Sequence, residues 1–210
     1  MDKKTKRCFI TVGLSVLMLN LFACGNNEVG KENTESTQST EILQESESET
    51  KIEIADAEDI LVKTWNAYKT EERFEIMGGH FTSALVGLPA KYDLTQSTDL
   101  AQMYCFPENY LSVVDDAATM IDLYNAARFT VSAYHVTDVE QMRSIGEDIK
   151  KQVVENPWHG EKPEKLCVIK VEDQYVISVY GREALVDAFK LNLEFLYQKM
   201  TEVVVEEKLF

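Results

Sequence analysis

Apolar and polar positions follow two different periods in the second half of the chain. Residues 128–136 alternate between apolar positions such as Phe129 and Val131 and polar positions such as Thr130, which is the period of a half-buried β-strand. The next apolar residues recur every three or four positions, as on one face of an amphipathic helix. They are Val139, Met142, Ile145, Ile149 and Val153. We therefore predict a strand followed by a helix.

Both ends of this helix have local signals. Thr137-Asp138-Val139-Glu140 reads as a capping box, in which the Thr hydroxyl and the Glu carboxylate bond to backbone amides of the first turn. Asn156-Pro157 ends the helix, because proline disfavours helical geometry in the residue before it.

Two further strands and a helix complete the C-terminal half. Residues 166–171 and 175–180 are rich in Val, Ile and Tyr, and the short link 172–174 makes them an antiparallel hairpin. Gly181 breaks the second strand. A helix follows from about Arg182, with apolar residues near helical spacing at Leu185, Phe189, Leu193, Leu196 and Met200.

The region before residue 128 is less regular. Ile60, Leu61 and Trp65 predict a helix over about 56–68, with Asp56 as its cap and Trp65 in the core. Glycines and prolines interrupt residues 78–110, which still carry enough apolar side chains to pack on the domain. Residues 111–127 suit either a helix or a strand.

The order strand, helix, strand, strand, helix predicts an α+β domain. We expect an antiparallel β-sheet with helices packed on one face.

The N-terminal segment indicates export. Residues 2–7 are basic and residues 8–23 are apolar, the order found in a signal peptide. The apolar stretch is shorter than the roughly 20 residues that span a hydrocarbon core, and it contains Asn20. A signal peptide over 1–23 therefore fits better than a permanent membrane helix.

Leu21-Phe22-Ala23-Cys24-Gly25 resembles the lipobox of bacterial lipoproteins. The resemblance implies that the Cys24 thiol receives a diacylglyceryl group and that a peptidase then cuts before it. Phe22 departs from the small or branched residue usual at its position. An uncleaved signal anchor and an ordinary secreted protein are the alternatives. The expected location is the extracytoplasmic face of the cell membrane.

Residues 24–50 read as the lipidated cysteine and a linker. The stretch 25–50 has seven glutamates, no aromatic residue and only three large apolar residues, so it cannot bury enough surface to offset the entropy of ordering it. We predict a disordered tether here, followed by a single globular domain over 51–210.

The charge restricts the partners. The chain has a net charge of −15, and without residues 1–23, which carry four basic residues and one acidic residue, the net charge is −18. Such a surface repels nucleic acid. We expect the membrane, through the anchor at Cys24, and an envelope protein as partners.

Cys105 and Cys167 are too far apart to predict a disulfide framework, and free buried thiols are favoured over a bond.

Residues 104–189 resemble an uncharacterised family of bacterial lipoproteins, domain of unknown function 4358. The resemblance lies in 129–138, in the helix ending near Val154, in the hairpin 165–180 and in 184–189. It covers about half of the mature chain and implies a lipobox and a low-complexity linker. Its motifs are structural, and the family brings no functional residues to carry over.

Candidate chemistry is sparse. His80 follows two glycines in a loop that could present it, and Trp158 lies in an Asn-Pro-Trp-His-Gly turn where it could anchor a partner or close the edge of the core. No metal-ligand spacing, catalytic motif or cofactor motif is found. We favour a tethered binding or accessory module of the cell envelope. The alternatives are an enzyme that gathers His80 with Asp115 or Asp116, and a small-ligand or peptide-binding domain with an apolar cleft beside residues 78–110.

Overall fold

A computed structural model describes residues 52–210. Four α-helices are present in this range: α1 (Ala57–Asn66), α2 (Ser97–Tyr104), α3 (Met142–Glu155) and α4 (Glu183–Tyr197). The strands are β1 (Ile76–Gly78), β2 (Leu85–Val86), β3 (Ala90–Lys91), β4 (Val114–Asp122), β5 (Phe129–Val136), β6 (Lys165–Val171), β7 (Tyr175–Gly181) and β8 (Thr201–Lys208).

The strands form one antiparallel sheet in the order β2-β1-β4-β5-β7-β6-β8, and β3 also pairs with β4. Both β1 and β3 pair with β4, at different residues. β1 pairs with the end of β4 at Ile121 and Asp122, and β3 pairs with β4 at Ala118 and Thr119. The α+β class with an antiparallel sheet is confirmed.

The helices cover both faces of the sheet, so the expectation that they pack on one face is wrong. Helices α1 and α4 pack with Phe129, Val131 and Ala133 of β5 in a first core. Helices α2 and α3 pack with Tyr134 and Val136 of the same strand in a second core. Successive side chains of a strand point to opposite faces, and every residue of β7 is buried. Strands that are buried on both faces need a helix layer on each side.

The predicted elements of the C-terminal half are present. Strand β5, helix α3, the β6–β7 hairpin and helix α4 occur in the expected order, and α3 ends at Glu155, just before Asn156-Pro157. The sequence reading lacked β8, which pairs with β6 at the sheet edge. Only Val205 of β8 is buried, so this strand has no strong apolar alternation.

Residues 111–127 contain a strand rather than a helix, because a 3₁₀ turn at Glu108–Val113 leads directly into β4.

The predicted capping box is wrong in its capping residue. Asp138, and not Thr137, accepts the backbone N–H of Glu140, and it starts a 3₁₀ turn before α3. The Thr137 hydroxyl donates instead to the Val113 carbonyl at 3.1 Å, because β4 lies within its reach.

Helix α1 begins as predicted. The Asp56 carboxylate accepts the Asp59 N–H at 2.8 Å, which satisfies one of the free donors of the first turn. Trp65 is buried in the first core. Over residues 52–210, no helix is long and apolar enough to cross a bilayer.

Candidate functional site

The predicted site residues are dispersed. Cys24 lies outside the described residues. His80 is buried in the loop after β1, Trp158 is half-buried after α3, and Asp115 and Asp116 lie at the start of β4. Within residues 52–210, no group of three His, Cys, Asp or Glu side chains could hold a metal ion.

His80 fastens its loop to helix α2. Its Nε2 lies 2.9 Å from Oδ2 of Asp99, in the first turn of α2. Its Nδ1 accepts the backbone N–H of Thr82 at 3.3 Å and lies 2.7 Å from the Thr82 hydroxyl. Since Nδ1 accepts the Thr82 N–H, Nε2 is the ring nitrogen that donates a hydrogen bond to the Asp99 carboxylate. His80 is therefore a loop brace: its side chain is buried and both ring nitrogens have partners, so the loop does not present it to solvent.

The structure does not join His80 to Asp115 or Asp116, because each of these side chains contacts another partner. Asp115 bonds to Nδ1 of His135. Asp116 accepts the Ala57 N–H at 2.8 Å and pairs with Lys91 at 3.4 Å. These contacts bind β4 to β5, α1 and β3.

Trp158 closes the edge of the second core. Its indole N–H donates to the Val153 carbonyl at 2.9 Å, and its ring packs against Tyr180 at 5.7 Å between centroids. This contact satisfies a free carbonyl at the end of α3. Trp158 is therefore a packing residue at the edge of the second core.

A cleft lies between the end of α2 and the end of α3, with a volume of about 840 Å³, within the range of small-molecule sites. Helix α2, the following 3₁₀ turn and the last turn of α3 form its walls. It is lined by Ala101, Gln102, Cys105, Phe106, Glu108, Asn109, Gln152, Glu155, Asn156 and Pro157.

The accessible lining of the cleft is mostly polar, and a buried aromatic residue lies behind it. Phe106 is fully buried, and its ring lies 4.3 Å from that of Tyr134, so this wall belongs to the second core. Gln102, Asn109 and Gln152 lie on the exposed rim. Amide side chains both donate and accept hydrogen bonds. The lining includes two glutamates and no lysine or arginine, so it disfavours anions such as phosphate.

Cys105 lines this cleft in a strained conformation. It ends helix α2 with a left-handed backbone, φ 54°, at a position where glycine is usual. Burial raises the pKa of its thiol to about 11, against contacts with Tyr180 and Asn156 that lower it. The thiol is thus protonated at neutral pH and poorly nucleophilic. Cys105 supports the wall of the cleft rather than reacting there.

The two described cysteines are free and buried, as favoured. Cys167 belongs to the first core and Cys105 to the second, so the sheet separates them. Burial raises the pKa of the Cys167 thiol to about 12.

Sequence reasoning placed the small-ligand alternative beside residues 78–110, and residues 101–109 do form one wall. It missed the second wall, and the cleft is more polar than expected. The sequence signal for the second wall was the predicted end of the helix at Asn156-Pro157. No local pattern indicates that this helix end lies next to α2.

Comparison of the chain with protein-family models, with curated proteins and with solved structures finds no match.

Proposed function

We propose that this chain is a lipid-anchored extracytoplasmic lipoprotein that acts as a binding or accessory module of the cell envelope. The cleft between α2 and α3 is its ligand site. The observation that carries the binding role is this cleft, with its 840 Å³ volume and its rim of amides and carboxylates.

The lining selects the ligand class. Gln102, Asn109 and Gln152 can each donate to and accept from a peptide group or a sugar hydroxyl. Glu108 and Glu155 favour a neutral or cationic ligand over an anionic one. Ala101 and Pro157, which are not fully buried, add a small apolar contact surface. A short peptide or a hydroxylated small molecule fits these features.

The anchor supports the location. Cys24 follows an apolar segment in a lipobox-like pattern, and residues 25–50 have seven glutamates, no aromatic residue and only three large apolar residues. A coil of this length has ends about 30 Å apart. Such a tether leaves the cleft accessible to ligands or proteins near the membrane.

The anchor is tested on the mature N-terminus. Mass spectrometry should find Cys24 as the first residue with a diacylglyceryl adduct, because only the lipidated thiol is a substrate for processing. Cys24→Ala should leave the precursor uncleaved. A mature chain that starts elsewhere, or an unmodified Cys24, would contradict the anchor.

The cleft is tested with the double variant Gln102→Ala/Gln152→Ala, which changes one exposed amide on each wall. A panel of di- and tripeptides and neutral sugars is screened by thermal shift, and binding of the compounds that shift the protein is measured by calorimetry. Loss of two hydrogen bonds should weaken binding about tenfold.

The matched control is Thr98→Ala/Lys151→Ala, on the same two helices but outside the cleft lining. It should bind like the unchanged protein. Equal affinities of the cleft variant and the control, or no compound that binds, would count against the cleft as the ligand site.

A further inference from the structure

Four large apolar side chains are exposed within eight residues at one end of the sheet. Phe81 is 55% exposed, Leu85 50%, Val86 69% and Leu88 52%. We call residues 81–88 the apolar wedge. Scattered exposed apolar residues are normal, whereas a contiguous group on a folded domain indicates contact with a protein or a membrane.

Both faces of the wedge are open. Strand β2 (Leu85–Val86) is the last strand in the sheet order. Neighbouring side chains on a strand point to opposite faces, and both Leu85 and Val86 are exposed. Neither helix layer therefore covers this end of the sheet. The opposite edge, β8, carries Glu202, Glu206, Glu207 and Lys208, which protect a sheet edge from further pairing.

The wedge is also free of negative charge. Residues 76–92 contain no aspartate and no glutamate, in a chain whose net charge is −15. The single lysine of this stretch, Lys91, is held by Asp56 at 3.1 Å and by Asp116 at 3.4 Å. The wedge can thus leave water without burying an unpaired ion, which would be costly.

The wedge is held in shape. His80 connects its first residues to α2 through Asp99, and the Phe81 ring lies 4.2 Å from the His80 ring. At its base, Gly78 lies so close to β3 and β4 that an added Cβ would fall 2.3 Å from the Ala90 nitrogen. A pre-formed apolar surface loses little conformational entropy on docking.

A second copy of the chain is a poor occupant. The exposed apolar area of the four side chains is about 400 Å², and two copies would bury about 800 Å², below the roughly 1,200 Å² of a stable interface. Two strongly acidic copies also repel each other. A bilayer, in contrast, surrounds an inserted tip and covers both of its faces.

We propose that the apolar wedge inserts into the interfacial region of the membrane and orients the domain on it. The inference rests on the proposed anchoring, because a lipid at Cys24 keeps the wedge near the bilayer and lets a small contact suffice. Insertion through residues 81–88 gives the domain one preferred face toward the membrane.

The experiment replaces the proposed lipid at Cys24 with an artificial attachment to the vesicle, so that it tests the wedge and not the anchor. The chain from Gly25, with an N-terminal histidine tag, is recruited to phosphatidylcholine vesicles that carry a nickel-chelating lipid. Both hydrophobic cores lie within residues 52–210, so this change leaves the folded domain intact. Ser83→Cys is labelled with an environment-sensitive dye, because Cys105 and Cys167 are buried.

We expect a blue shift of the dye and its quenching by acyl-brominated lipid. The triple variant Leu85→Ser/Val86→Ser/Leu88→Ser should reduce the inserted fraction about tenfold. Leu191→Ser/Phe195→Ser, which removes apolar residues of α4 that are 65% and 75% exposed, should keep the signal.

Full recruitment in a sedimentation assay without a spectral change would overturn the proposal. So would a shift that appears without vesicles as the protein concentration rises, since this would indicate a second copy. A triple variant that inserts normally would also contradict it. Failure of the anchor would appear separately, in the mass of the mature N-terminus.

Discussion

Gly78 lies where strands β1, β3 and β4 meet. A Cβ at this position would lie 2.3 Å from the Ala90 nitrogen and 2.6 Å from the Leu88 and Thr119 carbonyl oxygens. All three atoms belong to the backbone, so no side-chain rotation can relieve the contact. The φ of Gly78 is not positive, so its backbone conformation does not call for glycine. Glycine is required here because the neighbouring backbones lie so close.

Gly78→Ala should therefore lower the free energy of unfolding by about 3 kcal/mol or more, because strands must separate to admit the methyl group. The control is Gly87→Ala: Gly87 has φ 87° and nothing within 4 Å of its added Cβ, so only conformational strain of about 1 kcal/mol is expected. Urea unfolding of both variants measures the difference. Equal losses would show that the backbone contacts of Gly78 do not matter.

At the scale of elements, Lys165 connects three of them. It belongs to β6, and its Nζ lies 2.6 Å from Asp187 of α4 and 2.7 Å from Glu206 of β8. Lys190 of α4 also contacts Glu206 at 2.6 Å. These ion pairs hold the edge strand to the sheet and to the helix above it. The bonds from Lys165 and Lys190 lower the pKa of Glu206 below its usual value.

The stability of this edge should depend on pH. Because the pKa of Glu206 is lower in the folded state, its contribution is complete above its unfolded pKa near 4.5 and is lost as pH falls through the folded value. Between pH 6 and 3, Glu206→Gln should remove part of the acid-induced loss of stability, roughly 1 kcal/mol or less after allowance for solvent screening.

The measurement is the urea midpoint at each pH. Glu71→Gln, an exposed residue of the 3₁₀ turn after α1, is the control and should follow the unchanged protein. A Glu206→Gln profile parallel to that of the unchanged protein would contradict the predicted linkage.

At the scale of the whole molecule, one sheet separates two cores. Strand β5 supplies Phe129 to the first core and Tyr134 to the second. The same strands contribute side chains to both cores. Loss of either helix layer would therefore expose side chains of strands that also support the other core. The two cores should therefore unfold together.

The two tryptophans report this directly, because Trp65 belongs to the first core and Trp158 packs against the second. Trp65→Phe and Trp158→Phe each leave one reporter. In each background, the cavity variant Ile149→Ala should shift the single transition by about 2–5 kcal/mol. Two separate midpoints, or a shift seen only by Trp158, would show that the layers unfold independently.

Local periodicity determined much of this protein. The alternation of 128–136, the helical spacing of α3 and α4, the hairpin link and the stop at Asn156-Pro157 all depend on neighbours in sequence, and the structure contains these elements. The lipobox-like pattern around Cys24 is likewise local, and its lipidation stays a prediction.

Tertiary structure alone decided the rest. The second helix layer, the edge strand β8, the His80–Asp99 contact and the cleft between α2 and α3 each join residues far apart in sequence. A period says which residues are apolar and share a face, but not which distant segment covers them. For that reason the sequence pointed to Cys24, His80 and Trp158, whereas folding formed the cleft at residues 101–109 and 152–157 and the exposed wedge at 81–88.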